Sequence, residues 1–259
     1  TRRLILTPRG RAGICILPIA DVHAHFTSEP HWSKVLDLAG RHRHEITHVV
    51  NMGDWGDYSW ASDHPRGEPS DAYSEYRCMA RQSDQLLKAL GKRSSRVQWH
   101  WMDGNHEYRI DPTNPKAIAR DLVIRPENTE WHASFARWRR RPYLLDRRGI
   151  LRIGNAAFFH GAGSGRGSDR LEGLRMWSLL GGPRNLLTVR GHTHTVVVPQ
   201  PVEITAATRG TQWMFNPGHL GPAKPRYATK ENTSTWGTAL SLIRQWGNEL
   251  PRVQYEIIR

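Results

Sequence analysis

In the first hundred residues, short, largely apolar runs alternate with stretches whose apolar positions recur every three to four residues. Residues 14–20 form a continuous apolar run and residues 46–52 a largely apolar one around Val49 and Val50, which predicts two buried strands. Residues 31–42 carry Trp32, Val35, Leu36, Leu38 and Ala39 at helical spacing, with Pro30 near the start. Residues 71–90 place Tyr73, Tyr76, Met79, Ala80, Leu86 and Leu87 along one helical stripe, and Gly91 follows as a stop. Residues 96–102 alternate Val97, Trp99 and Trp101 with polar neighbours, a strand with one buried face. Strand, helix, strand, helix, strand is the pattern of an α/β sheet.

The second half has a shorter rhythm. Residues 142–146, 150–153 and 156–159 read as strands separated by tight turns, and 170–180 as a helix. Further strands are predicted at 186–190, 195–198, 212–215, 238–243 and 253–257. A run of strands after βαβ units implies a second sheet packed on the first. Residues 62–70 and 217–235 read as loops, and 111–141 as an irregular insert rich in Arg and Trp.

A chain of 259 residues is enough for one large domain. The expected organisation is a single domain over 1–259, with an Arg/Trp-rich insert around 111–152 and a C-terminal loop and strand extension around 217–259. Eleven Trp and the clean apolar runs exclude disorder throughout. Two Cys, Cys15 and Cys78, exclude a disulfide scaffold and a Cys-based zinc site, and both read as buried reduced thiols. The longest apolar run, 12–20, is too short to span a bilayer. A cytoplasmic protein with no membrane partner is therefore expected. Lys and Arg number 37 against 24 Asp and Glu, a net charge of +13, and only six of the cations are Lys. Such an excess points to a polyanionic partner, with nucleic acid or a nucleotide first among them.

The polar residues that carry chemistry fall just after the apolar runs. Asp21 and His23 follow the first, Asp54 and Asp57 the second, and Asn105, His106 and Glu107 the third. His160 follows residues 156–159, and His192 and His194 follow residues 186–190. The carboxyl edge of an α/β sheet is where ligands bind. If the backbone is extended there, the spacing of two puts Asp21 beside His23, and His192 beside His194, on one side of the chain. Carboxylates that bridge, an amide carbonyl and neutral imidazoles together suit a pair of divalent cations such as Mn, Fe, Zn or Ni. Two such cations clamp a phosphoryl group and activate water.

This ordered set resembles the calcineurin-like metallophosphoesterase superfamily. The motifs are Asp-x-His at 21–23, Gly-Asp-x-x-Asp at 53–57, Gly-Asn-His-Glu at 104–107, His-Gly at 160–161 and Gly-His-Thr-His at 191–194, with an Asn-Pro-Gly turn at 216–218. The Gly-Asn-His-Glu-Tyr-Arg variant and the short chain are similar to small prokaryotic and phage members, which implies the cytoplasm of a prokaryotic cell or a phage-infected host. The resemblance implies a four-layer α/β/β/α sandwich of two mixed sheets with a dinuclear metal site, Mn first among the metals. It implies one metal on Asp21, His23, Asp54 and His194, and a second on Asp54, Asn105, His160 and His192, with Asp54 shared. It also implies a hydroxide between the metals as the nucleophile, and His106 stabilising or protonating the leaving oxygen. Asp57 and Glu107 are expected just outside the ligands, orienting an imidazole or a loop amide. Protein Ser/Thr phosphatases of the superfamily usually carry Asp-Arg where this chain has Asp57-Tyr58, which lowers that reading.

The expected activity is therefore metal-dependent hydrolysis of a phosphoester of nucleic acid or nucleotides, by a phosphodiesterase, a nuclease or an end-processing phosphatase. A small-molecule or protein phosphomonoesterase is the alternative enzyme, and a metal-binding scaffold without catalysis the non-enzyme reading. Substrate-binding candidates are Asn105, Arg109, as a bidentate phosphate ligand or a structural ion pair, and His25, as a phosphate contact or a surface residue. His219 has the same two readings as His25, while His42, His44, His48 and His64 read as surface or packing residues. Residues 134–152 hold seven Arg with Trp138 and Tyr143 among them, and Trp131 just before. This is either a phosphate track with stacking rings or a solvated charged face over core Trp. The glycines of 161–167 lack the Gly-Lys-Ser/Thr ending of a phosphate loop and read as a rim after His160.

Overall fold

The structure is a computed structural model and describes residues 13–62, 71–111, 113–114, 129–163, 167–202, 212–221 and 236–258. The fold is mixed α/β, with two mixed sheets and few helices. The first sheet is built from β1 (Ile14–Ile19), β2 (His48–Asn51), β3 (Gln98–Met102), β4 (Trp138–Arg141), β10 (Thr238–Gln245) and β11 (Arg252–Ile258), in the order β11-β10-β1-β2-β3-β4. β1 to β4 run parallel, and β10 lies antiparallel to β1. The second sheet contains β5 (Leu151–Ile153), β6 (Ala156–Phe159), β7 (Leu186–Arg190), β8 (Val196–Val202) and β9 (Gln212–Pro217), in the order β5-β6-β7-β9-β8. There β6, β7 and β9 are parallel.

Helix α1 (Glu29–Arg41) starts with Pro30 in its first turn and buries Trp32, Val35, Leu38 and Ala39. Helix α2 (Ala72–Leu90) is capped by Asp71, whose side chain accepts the Ser74 amide, and ends at Gly91. Both cover one face of the first sheet, where Leu17, Val49, Trp99 and Leu242 join their core. The opposite face, with Ile16, Val50, Met52 and Met102, packs on Phe158, Phe159, Val189 and Phe215 of the second sheet. A short α3 (His132–Phe135) and α4 (Ser168–Leu179) complete the helices among the described residues, and α4 lies over β7 and β9. None of these helices is long and apolar enough to cross a membrane.

Two expectations need correction. Residues 142–146 are not a strand. The strand is Trp138–Arg141, inside the stretch read as irregular. Its Trp138 is buried and packs edge-on against Trp55, Trp99 and Trp101. Its Arg140 lies over the Trp101 ring with Nε 2.7 Å from Asp103 Oδ1. Packing by two residues of four overrides a pattern that reads as a charge run. The Arg/Trp insert is thus split: Trp138 is core, Trp131 packs partly against it, and Arg137, Arg139, Arg147, Arg148 and Arg152 are exposed. Cys15 is buried, as expected, and burial pushes its thiol up to about 12, while Cys78 is only half-buried. The loop assignments at 63–70, 112, 115–128 and 222–235 lie outside the described residues, as does His64.

Candidate metal centre

All seven donor candidates leave the carboxyl ends of β1, β2, β3, β6 and β7 and meet in one place. Their ligand atoms form overlapping groups, Asp21–His23–His194, Asp54–His160–His192 and His23–Asp54–His106, within each of which the atoms lie within 4.8 Å of one another. Asn105 completes the second group: its Oδ1 is 2.9 Å from His160 Nε2 and 2.7 Å from His192 Nδ1.

The backbone reaches this geometry differently from the extended chain read in the sequence. Asp21, His23, Asp54, His192 and His194 all have positive φ, between 45° and 73°. Each such residue costs roughly 1–2 kcal/mol without a glycine's freedom. Neighbouring strands hold the kinks. Asp21 N donates to Gly53 O, His23 N to Asp54 O, and His192 N to the Asp21 carboxylate. Left-handed residues that persist only because the surroundings over-determine them are typical of functional sites. A glycine is needed at 104, since a Cβ there would run into the Asp54 carboxylate.

The donor set fits cations. His23 Nδ1 faces Asp57 Oδ1 at 3.1 Å and His160 Nδ1 donates to Met52 O at 2.9 Å, so each ring turns Nε2 inward. There His23 Nε2 and His194 Nε2 face each other at 3.2 Å, two nitrogens with at most one proton between them. His160 Nε2 points at Asp54 Oδ2 at 3.2 Å, and His194 Nε2 lies 3.4 Å from Asp21 Oδ1. Buried carboxylates, an amide oxygen and imidazole nitrogens thus share one cluster, a donor set that suits metal ions. Ring nitrogens tied outward to a carboxylate or carbonyl are the usual support for metal-binding His.

The two residues expected outside the ligands take distinct places. The Glu107 carboxylate is buried and accepts the amides of Asp54 and Gly104 at 2.8 Å, and of Trp55 and Gly56 at 2.8 and 3.4 Å. Burial and the Asp54 and Asp103 charges push it up to about 8, while the amides act in the opposite sense. Asp57 faces both His23 and His106, at 3.1 and 3.3 Å. Burial would raise its carboxyl, but hydrogen bonds from His106 and His23 hold it well below the usual carboxylate range.

His106 Nδ1 donates to Asp57 O at 2.7 Å, which leaves Nε2 facing Asp54 Oδ2 at 3.8 Å. Burial opposes its charged form, yet the Asp54 and Asp57 carboxylates raise it above the ordinary imidazole value. Arg109 donates Nη1 to Asp57 O at 2.6 Å and lies along the His106 ring, with Nη1 3.0 Å from Nδ1 and Nη2 3.3 Å from Nε2. His25 is exposed and rests against Phe26, with no contact to the donor cluster among the described residues. His219 is buried, stacked on His194 with ring centres 4.8 Å apart, and Trp236 lies against both.

Sequence reasoning missed a second set of residues. Arg190, at the end of β7, is buried and meets Asp169 and Glu172 from the first turns of α4. Glu75 of α2 accepts the Asp57 and Tyr58 amides and Trp60 Nε1. The available signal was a lone charged residue inside a buried strand, since Arg190 follows Leu186–Val189.

No family model matches the chain, and no curated protein matches it. Similar solved structures include a hypothetical protein PH1004 from Pyrococcus horikoshii, at 11% identity and a TM-score of 0.48, covering 95% of this chain and 88% of that one. A Pseudomonas putida nuclease MPE is similar at 14% identity and 0.37, covering 93% and 87%. A hypothetical protein from Thermus thermophilus is similar at 15% identity and 0.42, covering 94% and 100%. Likeness at this level leaves the chemistry to the site itself.

Proposed function

We propose that the protein is a dinuclear-metal-dependent phosphoesterase of the calcineurin-like superfamily, a single domain of four α/β/β/α layers, acting on nucleic acid or nucleotides. The observation that carries this reading is the convergence of seven donors from five strand ends, with ring nitrogens of His23 and His160 already committed outward. Asp21, His23, Asp54 and His194 hold one cation, and Asp54, Asn105, His160 and His192 the other, with Mn first and Fe, Zn or Ni as alternatives. Bound there, the cations supply positive charge for the phosphoryl oxygens and lower the pKa of water.

The chain's own residues do the rest. His106 keeps Nδ1 on Asp57 O, so Nε2 is the atom that delivers a proton to the leaving oxygen. Arg109 and Asp57 hold that ring in place. Because one guanidinium nitrogen is spent on Asp57 O, a positioning task suits Arg109 better than bidentate phosphate binding. Asp54 and Asn105 serve as ligands, and His25, exposed outside the donor cluster, is left as a contact for a longer substrate only.

What supports a nucleic-acid substrate is charge alone. The net charge is +13, and Arg137, Arg139 and Arg147 are exposed. Trp138 contributes nothing to stacking, because it is core. The test is Mn²⁺-supported turnover of an end-labelled single-stranded oligonucleotide, with a generic aryl phosphate alongside. Shortened products are expected for a phosphodiesterase, and loss of only a terminal phosphate for an end-processing phosphatase. Aryl phosphate hydrolysis with an untouched oligonucleotide overturns the nucleic-acid substrate. No hydrolysis of either with any of the four metals overturns the enzyme.

A further inference from the structure

We infer that Arg190 is a positioning residue that sets the spacing between the two histidine-bearing loops of the second sheet. This rests on the reading of those loops as metal-bearing. Arg190 reaches away from the donors, into the side of the sheet covered by α4. Its Nη1 lies 3.0 Å from Ser168 Oγ and 3.2 Å from Asp169 Oδ1, its Nε 2.9 Å from Glu172 Oε2, and its Nη2 donates to Gly163 O.

The two carboxylates divide the work. Glu172 accepts the amides of Ala162 and Gly163, at 3.1 and 2.8 Å to Oε1, and so holds the loop that follows His160. Asp169 Oδ1 accepts Thr193 Oγ1 at 3.3 Å and Asn216 Nδ2 at 3.0 Å. Thr193 stands between His192 and His194, and Asn216 also donates to Gly191 O at 3.4 Å. One guanidinium therefore links the ends of β6, β7 and β9 from behind. The packing leaves no slack: a Cβ at Gly161 would collide with Arg190 and Glu172. The fork hydrogen-bonds Asp169 and the Gly163 carbonyl through its two terminal nitrogens and pairs its charge with Glu172, a set of partners that an ammonium cannot match. Removing either carboxylate's charge leaves the buried guanidinium short of a partner and frees one loop.

The division predicts an asymmetry. Glu172 steadies only the His160 loop, which serves one metal position. Asp169 steadies the loop that carries His192 and His194, which serve both. In a Mn²⁺ titration of apo-protein followed by electron paramagnetic resonance, the wild type is expected to bind two ions and develop a spin-coupled spectrum. Glu172→Gln is expected to weaken one ion by about 10- to 100-fold, the usual cost of losing a supporting partner, and to leave the other unchanged. Its first equivalent of Mn²⁺ then gives an uncoupled spectrum. Asp169→Asn is expected to weaken both ions. Arg190→Lys keeps the charge without the fork and is expected to fall between wild type and Arg190→Met.

Wild-type affinity for both ions in Glu172→Gln and Asp169→Asn overturns the inference. So does an equal loss of both ions in the two variants that follows their thermal unfolding, because that is general destabilisation. Wild-type protein that binds no Mn²⁺, Fe²⁺, Zn²⁺ or Ni²⁺ overturns the metal centre itself, and the inference falls with it.

Discussion

The two sheets deliver their donors to the same point but anchor them by different chemistry. On the first sheet, Glu107 and Glu75 gather the backbone amides around Asp54 and Asp57, and Glu107 does so beside the Asp54 and Asp103 carboxylates. On the second sheet, Asp169 and Glu172 do the same for the loops after β6 and β7, with Arg190 between them. The first arrangement leaves a buried carboxylate whose charge is offset by amides and by whatever the site itself binds. The second carries its own counter-charge. If the proposed cations bind, the second-sheet half is expected to hold its shape without them and the first-sheet half to tighten with them.

The largest test of this contrast removes Asp54, the side chain proposed to serve both cations. Asp54→Asn is expected to lower turnover by at least about 10³-fold, some 4 kcal/mol at 1.36 kcal/mol per tenfold, and to abolish spin coupling between bound Mn²⁺ ions. Retained coupling would place the shared ligand elsewhere. His106→Ala comes next: turnover is expected to fall about 10²- to 10⁴-fold with Mn²⁺ binding intact, since the role proposed for His106 is to move a proton rather than to hold metal. Lost binding would instead make it a ligand, as its place in the His23–Asp54–His106 group allows.

Glu107→Gln separates the halves directly. The neutral amide keeps one acceptor oxygen for four N–H groups, and each orphaned buried amide costs about 1–3 kcal/mol. Apo-protein is expected to melt several degrees lower, with added Mn²⁺ recovering less of the loss than in Glu172→Gln. Equal recovery would erase the contrast.

The smallest effect concerns His100 of β3, stacked on His48 and flanked by Arg139 and Arg141. Burial, then the charges of His48 and the two Arg, lowers it from 6.5 to about 4. Folded protein therefore refuses a proton that unfolded chain accepts. This contribution to stability is intact above pH 6.5 and is lost as pH falls toward 4, by up to about 1.4 kcal/mol per pH unit. His100→Phe is expected to flatten the difference in melting temperature between pH 7 and pH 5. An unchanged slope assigns it to other groups.

Much of the fold was legible because the apolar runs stand out from polar turns on either side. β1, β6 and β7 lie where continuous runs predict them, and α1 and α2 bury the stripes that their periodicity marks. β4 was not legible, because Trp138-Arg-Arg-Arg141 has the composition of a surface and becomes a strand only through contacts some forty residues back. The donors were legible as types and places, each sitting beside a glycine or one residue from another donor after an apolar run. The way they converge was not, because it depends on left-handed kinks rather than on an extended pleat.

By itself, the sequence determined which residue types stand at the strand ends, and with them the class of ligand the site can take. Aspartate, asparagine and histidine are chosen for their donor atoms, and that choice is local. Only the tertiary structure decided how the donors face one another, which imidazole nitrogen each presents, and that Arg190, Asp169, Glu172 and Glu75 hold them there. Kinks that cost free energy and charges that cost desolvation persist only where distant segments supply the compensating hydrogen bonds, and such compensation has no signature in any one stretch of chain.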